Sequence, residues 1–177
     1  IYRAASALAM GDVPGTMRHA QRALNLFPDD NQLGRGAAAG LLGLSYWRLG
    51  DLEAAHRSYS DCLARMQKIG HISDALGCSL TLADIRVAQG RLHEAMSTYE
   101  QALQLAKAQG APGLRGTADM HVGMGELCRE RNDLNAALQH LFQLQARRFA
   151  NFPDARAALA QDNSFLTFAH DVDDLAD

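Results

Sequence analysis

Residues 82–105, LADIRVAQGRLHEAMSTYEQALQL, decide how the chain is read. Apolar and small residues return every three or four positions on both sides of Gly90-Arg91, and no proline interrupts them. That spacing predicts two amphipathic helices joined by a tight turn. After the turn the recurring set is Leu92, Ala95, Met96, Tyr99, Ala102, Leu103 and Ala106. Before it stand Leu80, Leu82, Ala83 and Ile85.

The same design recurs outward in both directions. Gly11-Asp12-Val13, Gly50-Asp51-Leu52, Gly90-Arg91-Leu92 and Asn132-Asp133-Leu134 are spaced by 39, 40 and 42 residues. Repetition on that scale marks a solenoid of helical hairpins. Gly or Asn at the first turn position suits a left-handed cap on the preceding helix. Asp at the second accepts from the free N–H groups that open the next helix. Gly90-Arg91 keeps only the first half of that chemistry. The second unit repeats the stripe with Leu52, Ala55, Tyr59, Cys62, Leu63 and Met66, and the fourth with Leu134, Ala137, Leu138, Leu141 and Leu144. Their partner helices carry Leu41, Leu42, Leu44 and Tyr46, then Val122, Met124, Gly125 and Leu127. In the second, third and fourth units the alanine five residues past the turn Gly or Asn (Ala55, Ala95, Ala137) lets two helices approach closely, and the Tyr or Leu four residues later fills the gap beside it. Loops between units are expected at 27–31, 69–72 and 109–113, where Gly or Pro occurs.

Leu42-Gly43, Tyr46, Gly50-Asp51, Ala55, Tyr59 and the small Cys62 resemble the tetratricopeptide repeat (TPR). The first unit keeps Ala20, Ala23-Leu24 and Pro28 of that pattern. The expected fold is all-α, a right-handed superhelical solenoid of about four TPR-like hairpins of ~40 residues over residues 1–150. The units exceed the usual ~34 residues, so each hairpin is expected to hold one or two extra helical turns. A narrower likeness rests on RVAQGRLHEAMSTYEQALQLA and HVGMGELCRERNDLNAALQHL. They resemble the TPR-like sensor domain of large ATP-dependent LuxR-type transcriptional regulators, the maltose-regulon-activator class, over residues 4–145. The resemblance implies a bacterial regulator with an NTPase module ahead of the repeats and a helix-turn-helix behind them. No GxxxxGK[ST] loop or DNA-binding helix pair stands in these 177 residues. The chain starts directly in an amphipathic pattern, as expected of a piece of a longer protein.

Composition narrows the function. Hydrophobic residues make up 47% of the chain and aromatics only 6%, and the formal net charge is −3. That balance argues against direct nucleic-acid contact by this segment. No apolar run approaches the ~18–20 residues that span a bilayer, and no signal peptide is visible. Cys62, Cys78 and Cys128 are an odd, widely spaced set on apolar helix faces, expected as buried free thiols of a cytoplasmic protein. Residues 151–177 depart from the repeat, with one arginine against six aspartates. This acidic tail is expected either to cap the last hairpin or to dock as an amphipathic segment through Phe165, Phe168, Val172 and Leu175, which would allow self-association.

No nucleophile elbow, metal-spaced histidine pair or phosphate loop is present, so neither enzyme activity nor a metal or other cofactor is expected. The glycine-rich stretch 110–117 lacks the lysine of a phosphate loop and reads as an inter-repeat connection. His93 and His121 read as surface residues. Recognition is expected on the concave face, which the first helix of each hairpin lines. The candidates there are Leu44, Trp47, Arg48, Asp84, Val87, Glu126 and Arg129. Tyr46 reads as packing; Trp47 turns either into the groove or into the inter-repeat core. With Arg48, Asp84 and Arg129, Trp47 would form a mixed aromatic and polar cleft for a protein or peptide partner or a small-molecule inducer. The alternative is a stand-alone scaffold that docks protein segments without a transcriptional role.

Overall fold

The computed structural model describes residues 1–110 and 115–148, all of it helix and short turn. Eight helices follow in order: α1 Tyr2–Ala9, α2 Val13–Leu26, α3 Gln32–Arg48, α4 Leu52–Lys68, α5 Ile72–Ala88, α6 Leu92–Ala108, α7 Arg115–Glu130 and α8 Leu134–Arg148. They pair as four hairpins. Each of α3, α4, α5 and α6 is 17 residues long, which accounts for the ~40-residue period.

Local chemistry sets the turns. Gly11, Gly50, Gly90 and Asn132 take φ of +78°, +79°, +72° and +57°. The following amide then donates back five residues: Asp12 to Ala7, Asp51 to Tyr46, Arg91 to Arg86 and Asp133 to Cys128, at 2.9, 3.0, 2.8 and 2.9 Å. Each bond satisfies a carbonyl that the ending helix leaves orphaned. Asp12, Asp51 and Asp133 accept from the amides of Gly15, Ala54 and Ala136 at 2.8, 2.9 and 3.1 Å, so they also cap the next helix. Arg91 cannot accept, and its guanidinium pairs with Glu94 at 2.6 Å instead. His71 does the same at the start of α5, with Nδ1 2.8 Å from Asp74. Between the second and third hairpins, Gly70 (φ +69°) and the His71 amide repeat the same capping turn. That junction is as tight as the turns within hairpins.

The second helix of each of the first three hairpins is sandwiched between two first helices. Ala20 of α2 meets Ala4 of α1 and Leu42 of α3. Ala55, Tyr59, Cys62 and Met66 of α4 lie between Ala39 of α3 and Ala75, Cys78, Leu82 and Ile85 of α5. Ala95, Tyr99, Ala102 and Ala106 of α6 lie between Leu76 and Ala83 of α5 and Met120, Met124 and Leu127 of α7. Ala55 and Ala95 are completely buried, and their small side chains allow the close approach that seats Tyr59 and Tyr99. Burying each tyrosine ring or large aliphatic chain here stabilises the array by roughly 1.5–3 kcal/mol. First helices of successive hairpins also touch, α1 against α3 and α5 against α7.

Three expectations need correction or placement. Leu134 and Leu141, expected in the core, are 45% and 48% exposed, because no further first helix lies on α8 among the described residues. His121, expected on the surface, is buried inside the last hairpin with its Nδ1 3.2 Å from that of His140. The tail at 151–177, with its expected capping or docking role, lies outside the described residues, as do 111–114 of the inter-repeat connection.

Candidate functional site

Where α5 and α7 run side by side they leave a cleft of about 570 Å³. Helix periodicity sets its walls. Leu80, Asp84 and Val87 share one face of α5 at spacings of four and three; Asp119, Val122, Gly123, Glu126 and Glu130 share one face of α7. Leu92 and Tyr99 of α6 complete the lining together with Leu127 and Arg129. The walls combine aliphatic side chains with four carboxylates and one guanidinium.

The charges are not balanced locally. Arg129 is tied to Glu130, Nη2 to Oε1 at 2.8 Å, on the exposed rim. Asp119 and Glu126 make no hydrogen bond or ion pair among the described residues. Asp84 is half-buried, and its Oδ1 accepts from the Tyr99 hydroxyl at 2.9 Å. Burial pushes the Asp84 carboxyl above the usual carboxylate range; the Tyr99 donation pulls it back, and the charge of Glu126 pushes it up again. Tyr99 is itself held well above the ordinary phenol range, first by burial and then by Asp84. It therefore keeps its proton and serves as a fixed donor.

Comparison of the repeats explains why this hydroxyl is special. Tyr59 occupies the position of Tyr99 one hairpin earlier, but Leu44 stands where Asp84 would be, and the Tyr59 hydroxyl faces Thr81. At the place of Thr81 the next hairpin has Gly123, where a Cβ would come within 2.5 Å of the Tyr99 oxygen. A side chain there would displace the hydroxyl from Asp84. Gly123 and Asp84 together place a polar tyrosine edge at the cleft in the third hairpin alone among those with a tyrosine at this position.

Of the residues expected on the concave face, the structure brings Asp84, Val87, Glu126 and Arg129 into this one cleft. Leu44 and Trp47 are half-buried and pack against the cluster shared by α3, α4 and α5; Arg48 is exposed at the end of α3. None of those three lines the cleft, so the expected union of Trp47 and Arg48 with Asp84 and Arg129 does not form there. Sequence reasoning passed over Tyr99 as packing only, and passed over Asp119 and Gly123 entirely. The signal for Asp119 was its seven-residue spacing from Glu126, which puts both on one helix face. Among the described residues no group of three or more His, Cys, Asp or Glu side chains is placed to hold a metal ion. No described helix is long and apolar enough to cross a membrane.

The sequence profile of the MalT-like TPR region matches residues 1–161. Among solved structures, the nearly identical TPR-like repeats of a Podosopora anserina protein named for the kinesin light chain superpose with a TM-score of 0.66 at 17% identity, over 84% of this chain and 73% of that one. Their Q17M variant gives a TM-score of 0.67 at the same 17% identity, over 84% of this chain and 72% of that one. At such identity the likeness is one of fold. No curated protein matches the sequence.

Proposed function

The chain belongs to the MalT-like TPR family, and from that membership we propose that it is the sensing region of a bacterial LuxR-type ATP-dependent transcription regulator whose α5–α7 cleft takes up the cationic part of an inducer or partner segment. At the coarser level it is a repeat-based protein-interaction domain of α-solenoid form. The observation that carries the finer reading is the lining of the cleft. Asp119 and Glu126 lack partners among the described residues, Asp84 is half-buried, and Leu80, Val87 and Val122 flank them. A group carrying positive charge on an aliphatic stem would satisfy both surfaces at once. The regulatory step follows if the parent's resting and self-associating states place α5 and α7 differently, so that the occupant favours one of them.

A thermal-shift and calorimetric comparison tests the cleft. The probes are spermidine, a short leucine-containing peptide with lysines, the same peptide with glutamines, and neutral oligosaccharides. Binding of the cationic probes is expected, weakening as salt rises and lost in the Asp84→Asn/Glu126→Gln double variant. Equal binding of the neutral probes, or cationic binding that survives the double variant, refutes it. Trp47 fluorescence should stay unchanged, because the indole packs outside the cleft. For the transcriptional role the check is genomic: coding sequence for an NTPase upstream and a helix-turn-helix downstream. If neither flanks it, the scaffold reading replaces the regulator.

A further inference from the structure

Cys62 of α4 and Cys78 of α5 stand 16 residues apart in sequence, yet their sulfurs lie 3.0 Å apart across the junction of the second and third hairpins. A disulfide has an S–S bond of about 2.05 Å, so closure requires the sulfurs to move together by about 1 Å. Both side chains are buried in the cluster that includes Tyr59, Met66 and Ala75. Cys128, the third thiol, is on α7 and has no cysteine facing it.

The two thiols are unequal. Hydrogen bonding with Cys78 holds the Cys62 thiol below its ordinary value, while the same contact and burial hold Cys78 high. Cys62 is also the sulfur that faces Gly40 of α3, which makes it the attacking thiol and Cys78 the resolving one. Access comes from α3. At Gly40 an added Cβ would lie 3.6 Å from the Cys62 sulfur with no other side chain within 4 Å, so on that side the buried sulfur is covered by no side chain of α3. Gly40 is itself half-exposed.

From this arrangement of two facing sulfurs beside an uncovered glycine, we propose that Cys62 and Cys78 form a peroxide-sensitive oxidation site whose disulfide staples the second hairpin to the third. The Cys62 thiolate attacks one peroxide oxygen, the O–O bond breaks, and hydroxide leaves to take up the proton Cys62 had lost. Cys62 is then a sulfenic acid. The Cys78 sulfur attacks the Cys62 sulfur, its S–H proton leaves with the sulfenic hydroxyl as water, and the S–S bond forms. Two thiols are oxidised and one peroxide is reduced to two waters. The staple fixes α5, which carries Asp84 and Val87, against α4.

The test uses the whole chain at neutral pH, pulsed with hydrogen peroxide, quenched with iodoacetamide under denaturation and analysed by mass spectrometry. Alkylatable thiols are expected to fall from three to one, with a peptide cross-linked between Cys62 and Cys78 and Cys128 still alkylated. The melting temperature should rise on oxidation, return with dithiothreitol, and not respond in Cys78→Ser. In Cys78→Ser, Cys62 should instead be trapped by dimedone as a sulfenic acid. Gly40→Ala, which adds an ordinary van der Waals contact, should slow the oxidation severalfold without lowering the reduced protein's melting temperature. Three thiols surviving in the folded chain under peroxide that oxidises the unfolded chain would overturn the proposal. So would cross-links that involve Cys128 or join two chains, or an oxidation rate indifferent to Gly40→Ala. The wild-type mass measurement stands even if a serine variant fails to fold.

Discussion

Replacing Gly43 by alanine should destabilise the protein, although it removes a glycine from the interior of a helix. Gly43 is buried in α3 under the ring of Tyr59. A Cβ there would lie 2.6 Å from Cδ2, 2.8 Å from Cε2 and 3.3 Å from Cγ of that ring. Carbon atoms in good contact sit about 3.5–4.0 Å apart, so the ring must retreat by about 1 Å. It has nowhere to go, since Tyr59 is 7% exposed and shares a packed cluster with Ala55, Met66 and Leu82. Alanine gains about 0.5–1 kcal/mol in helix propensity, while overpacking a tight core costs about 1–3 kcal/mol. The balance is a net loss centred on about 1 kcal/mol and at most about 2.5 kcal/mol, the central value corresponding to about 2–4 °C in melting temperature for a chain of this size. Gly77 supplies the control: it lies on an exposed face of α5 with nothing within 4 Å of an added Cβ. Gly77→Ala should therefore stabilise by about 0.5–1 kcal/mol. Urea unfolding measures both, with midpoints compared at equal slope. If Gly43→Ala raises the midpoint as Gly77→Ala does, the close fit of Tyr59 on α3 is wrong. Adding Tyr59→Leu to Gly43→Ala should give a smaller loss than the two single losses combined, because the ring that clashes is gone.

Other variants probe the turns and the cleft. Asp51→Ala removes the side chain that accepts from Ala54 and should cost about 1 kcal/mol in the same urea assay. Tyr99→Phe leaves the half-buried Asp84 without its donor; a loss of about 0.5–1.5 kcal/mol is expected, and Asp84 should titrate higher still when followed by NMR. Because folding raises Asp84, the stability linked to it is full below the unfolded value of 3.8 and is lost as pH rises through the higher folded value. Asp84→Asn should accordingly stabilise the chain near neutral pH and change nothing well below pH 3.8, so an equal shift at every pH would refute the sign. His140 behaves oppositely: burial lowers it, with Glu100 acting against the shift. Its contribution is full above the unfolded value of 6.5 and lost as pH falls through the lower folded value, so a melting-temperature profile should decline on acidification below that point.

The repeat register was legible because its causes are local. A left-handed Gly50 or Asn132, an amide bond reaching back five residues, and an Asp51 or Asp133 accepting three residues on are all confined to one turn of chain. The alanine and tyrosine stripe is likewise a property of one helix, and Ala55, Tyr59, Ala95 and Tyr99 are buried as their spacing predicts. Both the hairpin count and the membership of the MalT-like TPR family followed from such short-range features. Spacing along one helix says which residues share a face; it does not say which face the neighbouring hairpin covers. That question separated Trp47, packed against the α3–α5 cluster, from Asp84 and Glu126, which line the cleft. It also left Leu134 and Leu141 exposed on α8 and buried His121 against His140. The sequence by itself thus determined where each helix starts, stops and turns its small residues, since those choices are made within a few residues. Only the tertiary structure decided that the Tyr99 hydroxyl meets Asp84 beside Gly123 and that Cys62 meets Cys78, because both meetings depend on how one hairpin is set upon the next.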